Sequence, residues 1–228
     1  MTTAADLPQR DLVDVRLVAA IELGGCAVCA VRSRAESAAT VAVLDGERVM
    51  DVEFRSALER TGSFCRRHVA ELIVADRRAT GILSSSILYE TLLGRRLAVL
   101  REALKSRSRA RRKRLADAAV RPPCVICTEG AGAVDVASHR LVDRSSDPSW
   151  AWVIGEIPFC LDDLVALLAL AGDSPGFAPI TERQLARLED VERRLDAYAH
   201  NSSPERRHLM TADQRSAADE ASRALGGD

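Results

Sequence analysis

Lysine is nearly missing from this chain: of 32 basic residues only Lys105 and Lys113 are lysine, and the rest are arginine. The arginines run along the whole length, so no single one stands out as placed for a phosphate. Aromatic residues make up 4% of a chain that is 47% hydrophobic. Strands favour aromatic and β-branched residues, so a core of Leu, Val, Ile and Ala points to packed helices. No stretch shows sustained strand-like alternation. The longest apolar run, Leu164–Ala171, falls far short of the roughly 20 residues a membrane helix needs. No basic-then-apolar leader precedes Asp11, and the chain reads as cytoplasmic with no membrane partner. A net charge of −1 argues against general attraction to nucleic acid. Gly-rich phosphate loops, HExxH and GxSxG are all absent. Ser84-Ser85-Ser86 has no His or acid placed beside it by sequence, and adjacent Asp162 and Asp163 point apart on a helix. No catalytic residue is named, and a non-enzymatic role is preferred.

What is present is one cysteine pattern written twice. Cys26-x2-Cys29 is followed by Cys65-x2-His68, and Cys124-x2-Cys127 by Cys160-x2-Asp163; none of the six cysteines is left over. In a reducing compartment such CxxC pairs favour metal over disulfides. A Cys-x2-His at a helix start puts both side chains on one face of the first turn, where the helix N-terminus favours thiolate. Taking each CxxC with the next downstream pair, the sequence predicts site one as Cys26, Cys29, Cys65 and His68. Site two is then Cys124, Cys127, Cys160 and Asp163. Zinc is the leading metal, at one or both sites, with an iron–sulfur cluster as a minor alternative. At site two His139 or a water competes with Asp163 for the fourth position. Asp163 is preferred because it aligns with His68 when Phe64-Cys65 is laid on Phe159-Cys160.

Helical spacing and turn residues give an all-α fold of two related helical units plus a C-terminal helix. Residues 1–11 are a flexible lead-in, 12–120 the first CxxC…CxxH unit, 121–200 the second CxxC…CxxD unit, and 201–228 a polar tail. Gly24-Gly25 caps a first helix directly before Cys26. Breaks are expected at Thr80-Gly81, Arg121-Pro122-Pro123 and Asn201-Ser202-Ser203-Pro204. Leu83, Ile87, Leu88, Leu92, Leu93, Leu97, Leu100 and Leu104 step by threes and fours, predicting a buried stripe on one long helix that runs into a basic tail over 107–114. Thr181-x2-Gln184 has the spacing of a capping box.

These motifs resemble an uncharacterised bacterial family of helical proteins built from tandem units: CxxC, a helix pair, a Gly-x-x-Cys-x2-His helix start and a long Leu-rich helix. Gly62-Ser63-Phe64-Cys65-Arg66-Arg67-His68 carries the likeness, and Pro158-Phe159-Cys160-Leu161-Asp162-Asp163 repeats it without the His. The chain departs from the family in lacking Pro inside either CxxC. The resemblance implies a helical fold and metal binding, and no activity.

Other features have plainer readings. The basic stretch 107–114 lacks interleaved aromatics for base stacking and reads as a solvated helix end. Trp150 and Trp152 read as interhelical packing, although they are also the best hint of a pocket beside the altered site. His200 and His208 read as surface residues. The preferred function is a zinc-stabilised binding or scaffold protein for a protein or small-molecule partner, held by the leucine stripe and the concave space between units. The alternatives are a metal or redox sensor or zinc enzyme at the altered site, and a nucleic-acid-binding regulator acting through 107–114.

Overall fold

The computed structural model describes residues 3–79, 81–120, 122–203 and 205–226. Met1 and Thr2 of the lead-in, and Thr80, Arg121 and Pro204 among the expected breaks, lie outside them. The described residues form helices and turns, with one isolated parallel bridge between Ser63 and Cys124. The fold is all-α, as the composition implies.

The chain divides into two compact units: residues 3–33 with 132–226, and residues 34–131. These do not coincide with the expected 12–120 and 121–200. The first unit is discontinuous in sequence, because helices from both ends of the chain share one core. The tail expected over 201–228 also belongs to it.

In the first unit, α1 (Leu12–Ile21) is capped by Asp11, whose side chain accepts from the amides of Val13 and Asp14. The chain then turns through Gly24 and Gly25, at φ 74° and 71°. Both lie in the left-handed region where glycine carries no Cβ penalty. The unit takes the start of α2 (Ala27–Leu44) and most of α8 (Val125–Arg144), then α9 (Pro148–Glu156), α10 (Leu161–Ala171), α11 (Ala178–Asn201) and α12 (Ala212–Gly226). Its core gathers Leu17, Leu141, Trp150, Ile154, Leu164, Leu167, Phe177 and Ile180. Burying each such side chain contributes roughly 1.5–3 kcal/mol.

Two polar arrangements lock this core. The buried Asp14 carboxylate accepts from the Arg10 amide (2.9 Å), Arg140 (3.0 Å) and both Nε and an Nη of Arg144. Gln184 is buried, and its amide donates to the carbonyls of Gly155 (3.1 Å) and Ile157 (2.7 Å) at the end of α9. The expected capping box is therefore corrected. Phe177 precedes the first residue of α11, Thr181 turns back to the Phe177 carbonyl, and Gln184 closes the end of another helix. Arg194 ties α11 to α12 through Glu220 at 2.7 and 2.9 Å.

The second unit holds the rest of α2, α3 (Gly46–Met50), α4 (Val52–Thr61), α5 (Arg66–Ala79), α6 (Leu83–Lys105), α7 (Ser108–Ala119) and the start of α8. Its core is Val43, Val49, Leu58, Phe64, Leu72, Leu88 and Ile126. The leucine stripe is only partly in it. Leu88 is buried, but Leu93 is 58% exposed, Leu104 60%, and Leu83, Leu97 and Leu100 are exposed as well. The helix α6 packs against α3, α4 and α5, and α7 lies beside it. The basic stretch is not the end of α6 either. A break at Ser106 and Arg107 starts α7, and Arg111 folds back to donate to the Leu104 carbonyl at 2.9 Å.

Candidate metal centres

All eight predicted ligand residues come together in two groups, but not in the expected pairs. One group is Cys26, Cys29, Cys160 and Asp163; the other is Cys65, His68, Cys124 and Cys127. In each, the four ligand atoms lie within 4.8 Å of one another. The expected pairing of Cys26-Cys29 with Cys65-His68, and of Cys124-Cys127 with Cys160-Asp163, is therefore corrected. Each CxxC meets the helix start of the other copy.

The local chain explains this. All four pairs straddle a helix start: Cys26 precedes α2, Cys65 precedes α5, Cys124 precedes α8 and Cys160 caps α10. The second member of each pair lies in the first turn of its helix, so the CxxC motifs are helix openings. Each group joins two helix N-termini, whose amides and dipoles favour anionic sulfur and carboxylate. The extended bridge decides which starts meet. The Ser63 amide donates to the Pro123 carbonyl (3.2 Å), the Val125 amide to the Ser63 carbonyl (3.1 Å) and the Ser63 hydroxyl to the Pro122 carbonyl (2.6 Å). Gly62 permits the approach, since a Cβ there would stand 2.7 Å from Leu58 and 2.9 Å from Val125. Cys65 is thereby held beside Cys124.

In the histidine group, Nδ1 of His68 stands 3.3 Å from each of the sulfurs of Cys65, Cys124 and Cys127, and Cys65 Sγ is 3.8 Å from Cys127 Sγ. With Nδ1 turned inward, Nε2 faces outward, 3.0 Å from an Nη of Arg67 and 3.4 and 3.6 Å from the carboxylates of Glu71 and Glu36. Arg67 is drawn to the same place by Glu36. Gly130 leaves room for that carboxylate, because a Cβ there would lie 2.7 Å from the Glu36 side chain. A carboxylate behind a ligating histidine fixes its tautomer and raises its basicity. Sequence reading missed Glu36, which lies in mid-helix with no motif around it. Glu36→Gln is expected to weaken metal binding at this group by about 10–100-fold. Competition against a chromophoric chelator measures this, with the Asp163 group as internal control.

In the aspartate group, Asp163 Oδ2 takes the place of the histidine nitrogen, 3.2, 3.1 and 3.2 Å from the sulfurs of Cys26, Cys29 and Cys160. Cys29 and Cys160 sulfurs are 3.7 Å apart. The outer oxygen, Oδ1, accepts from Arg32 at 3.2 Å. Burial pushes the Asp163 carboxyl upward, but the three thiols and Arg32 outweigh it and hold it below the ordinary aspartate range. Burial pushes the Cys26 thiol up to about 11, and burial with the neighbouring carboxylate and thiols raises Cys29 further. Cys127 is pushed up to about 12 by burial and by the sulfurs of Cys124 and Cys65. At Cys65 burial acts upward as well, but the His68 amide and neighbouring thiols outweigh it and lower the thiol. Thiols this crowded resist ionising together unless a cation stands among them.

His139 belongs to neither group. Its side chain is 59% exposed and lies 3.7 Å from Asp135 on the same helix. The alternative in which His139 supplies the fourth ligand is corrected accordingly. Trp150 is fully buried in the first core, and its indole N–H donates to the Pro8 carbonyl at 3.3 Å. Trp152 is at the surface under Arg183, 4.6 Å from its ring centre.

Residues 11–142 match the family of unknown function DUF6062. The chain belongs to that family. The matched span contains the whole Cys65–His68–Cys124–Cys127 group and the Cys26-Cys29 half of the other. Neither the curated proteins nor the solved structures contain a match. Both residue groups could hold a metal ion, and no helix among the described residues is long and apolar enough to cross a membrane.

Proposed function

We propose that this DUF6062 protein is a helical binding or scaffold protein, each unit stapled by one zinc ion. The ligands are Cys26, Cys29, Cys160 and Asp163 in one unit and Cys65, His68, Cys124 and Cys127 in the other. The observation that carries the reading is the spacing of the sulfurs. A tetrahedral zinc with bonds of about 2.3 Å to sulfur needs sulfur–sulfur edges of about 3.8 Å, and the close pairs here stand at 3.7 and 3.8 Å. A disulfide would need about 2.05 Å. An iron–sulfur cluster spreads its ligands over several irons, and ligand atoms all within 4.8 Å of one another suit a single ion better. Asp163 fits as the harder fourth ligand, an arrangement that suits zinc held by three thiolates.

Four protein ligands at each ion leave no open position for a substrate or activated water, which favours a structural role over a catalytic one. The two groups repeat one design, a CxxC helix start facing a Cys-x2-His or Cys-x2-Asp helix start. That supports reading the chain as two copies of one module that have exchanged partners. Six thiols kept for metal suit a reducing compartment such as the cytoplasm. Protein purified without oxygen is expected to carry two colourless divalent ions per chain. A brown chromophore, or protein that folds fully without metal, would contradict the reading.

A further inference from the structure

The six cysteines differ in their access to solvent. Cys65 and Cys127 are half-buried, whereas Cys26, Cys29, Cys124 and Cys160 are buried. The two accessible ones belong to the same group, and their sulfurs stand 3.8 Å apart. The aspartate group has an equally close pair, Cys29 and Cys160 at 3.7 Å, but all four of its ligand residues are buried. A small oxidant therefore reaches two adjoining sulfurs in one group and none in the other.

Reactive cysteines are accessible ones that stand as thiolates, and a metal or a helix N-terminus keeps them so. Cys65 precedes α5 and Cys127 lies in the first turn of α8, so each sulfur sits at its own helix start. Arg66 and Arg67 follow Cys65 and are exposed. Arg67 is engaged by Glu36 and, at 3.8 Å, by Glu71. The local charge is thus largely balanced, and what distinguishes this pair is access and proximity. An oxidised sulfur with a thiol at hand goes on to a disulfide, which a reductant reverses, instead of climbing to the irreversible acids.

We propose that Cys65 and Cys127 are an oxidative modification site: a peroxide converts them to a disulfide, and the metal ion of the histidine group is released. The inference rests on the zinc reading and makes that ion a staple that an oxidant opens. One thiolate of the pair attacks the peroxide, the O–O bond breaks, and a sulfenic acid and hydroxide result. The other thiolate then displaces hydroxide from that sulfur as the S–S bond forms. Two thiolates, one hydrogen peroxide and two protons give one disulfide and two waters. The two electrons pass from sulfur to peroxide oxygen, and zinc keeps its oxidation state. His68 and Cys124 are left as a half set of ligands, too few for a closed structural site. The aspartate group keeps its ion. Asp163 makes that group unusual in composition, but burial seals it from the oxidant.

The test uses the wild-type full-length protein, purified without oxygen and with its metal counted beforehand. Hydrogen peroxide is added and free zinc is followed with a colorimetric chelator. One ion per chain is expected to leave at least about tenfold faster than the other, following the access of the sulfurs. Peptide mapping without reductant, after free thiols are blocked, should find Cys65 joined to Cys127 and the other four cysteines unmodified. Tryptophan emission should hold steady, since Trp150 and Trp152 lie in the unit that keeps its ion. A dithiol reductant with added zinc should restore both ions. Equal rates of release, or a disulfide between Cys29 and Cys160 or between Cys124 and Cys127, would overturn the proposal. So would sulfinic or sulfonic acid at Cys65 without a disulfide. Two ions that excess peroxide fails to displace would overturn it while leaving the zinc reading standing. Protein with no metal before the oxidant is added would instead overturn the zinc reading, and this inference with it.

Discussion

Cys65→Ser is expected to cost the protein one of two metal ions and to unfold residues 34–131, while the unit containing both tryptophans stays folded. A structural zinc contributes roughly 10–16 kcal/mol of apparent binding free energy, about the whole stability of a domain or more. The second unit has a modest core and closes Ser63 against Pro123 right beside the site. Its collapse reads as a large loss of far-ultraviolet helicity. Trp150 and Trp152 both belong to the first unit, so their emission should not move. Cys124→Ser should give the same phenotype, and the double variant should be no worse than either single one, because both remove one ion. Cys26→Ser should instead release the other ion and shift the tryptophan emission. If Cys65→Ser and Cys26→Ser behave alike, and both differ from Cys124→Ser, the pairing drawn here is wrong.

Asp14→Ala is expected to destabilise the first unit by about 3–5 kcal/mol with both metals retained. Its carboxylate is fully buried and is shared by Arg140 and Arg144. Removing it strands the Arg144 guanidinium inside the core, which costs far more than the pair contributes net. Urea unfolding followed by tryptophan emission measures this. Burial acts to raise the Asp14 carboxyl, but Arg144, the Arg10 amide and Arg140 outweigh it and hold it below the ordinary range. The sign follows from that depression. The stabilisation is complete above an unfolded aspartate's value of about 3.9 and is lost as pH falls through the lower folded value. Wild-type stability should therefore drop more steeply than that of the variant once the pH falls below about 4. A variant within about 0.5 kcal/mol of wild type, the range of an ordinary surface change, would show that this ion pair is not a core element.

Much of this fold is legible in the sequence, because its signals are local. Helical spacing places α1, α6, α10 and α11, and Gly24-Gly25 marks the turn before Cys26. The eight ligand residues are legible for the same reason, since an i, i+3 pair at a helix start needs no distant information. Which pairs meet is not local. Sequence proximity favours closing Cys26-Cys29 on Cys65-His68, whereas the chain path is set by Gly62, Ser63 and the Pro122-Pro123 segment. The leucine stripe fails in a related way: its period shows that α6 has an apolar face, and says nothing about what covers it. Asp14 and Glu36 are single acids in helices, with partners on other elements, and no spacing announces them.

The pairing is tested most directly by alkylating the cysteines of metal-loaded Cys65→Ser under native conditions and mapping the modified peptides by mass spectrometry. Cys124 and Cys127 are expected to react rapidly while Cys26, Cys29 and Cys160 stay protected by the retained ion. Rapid modification of Cys26 and Cys29, with Cys124, Cys127 and Cys160 protected, would contradict it.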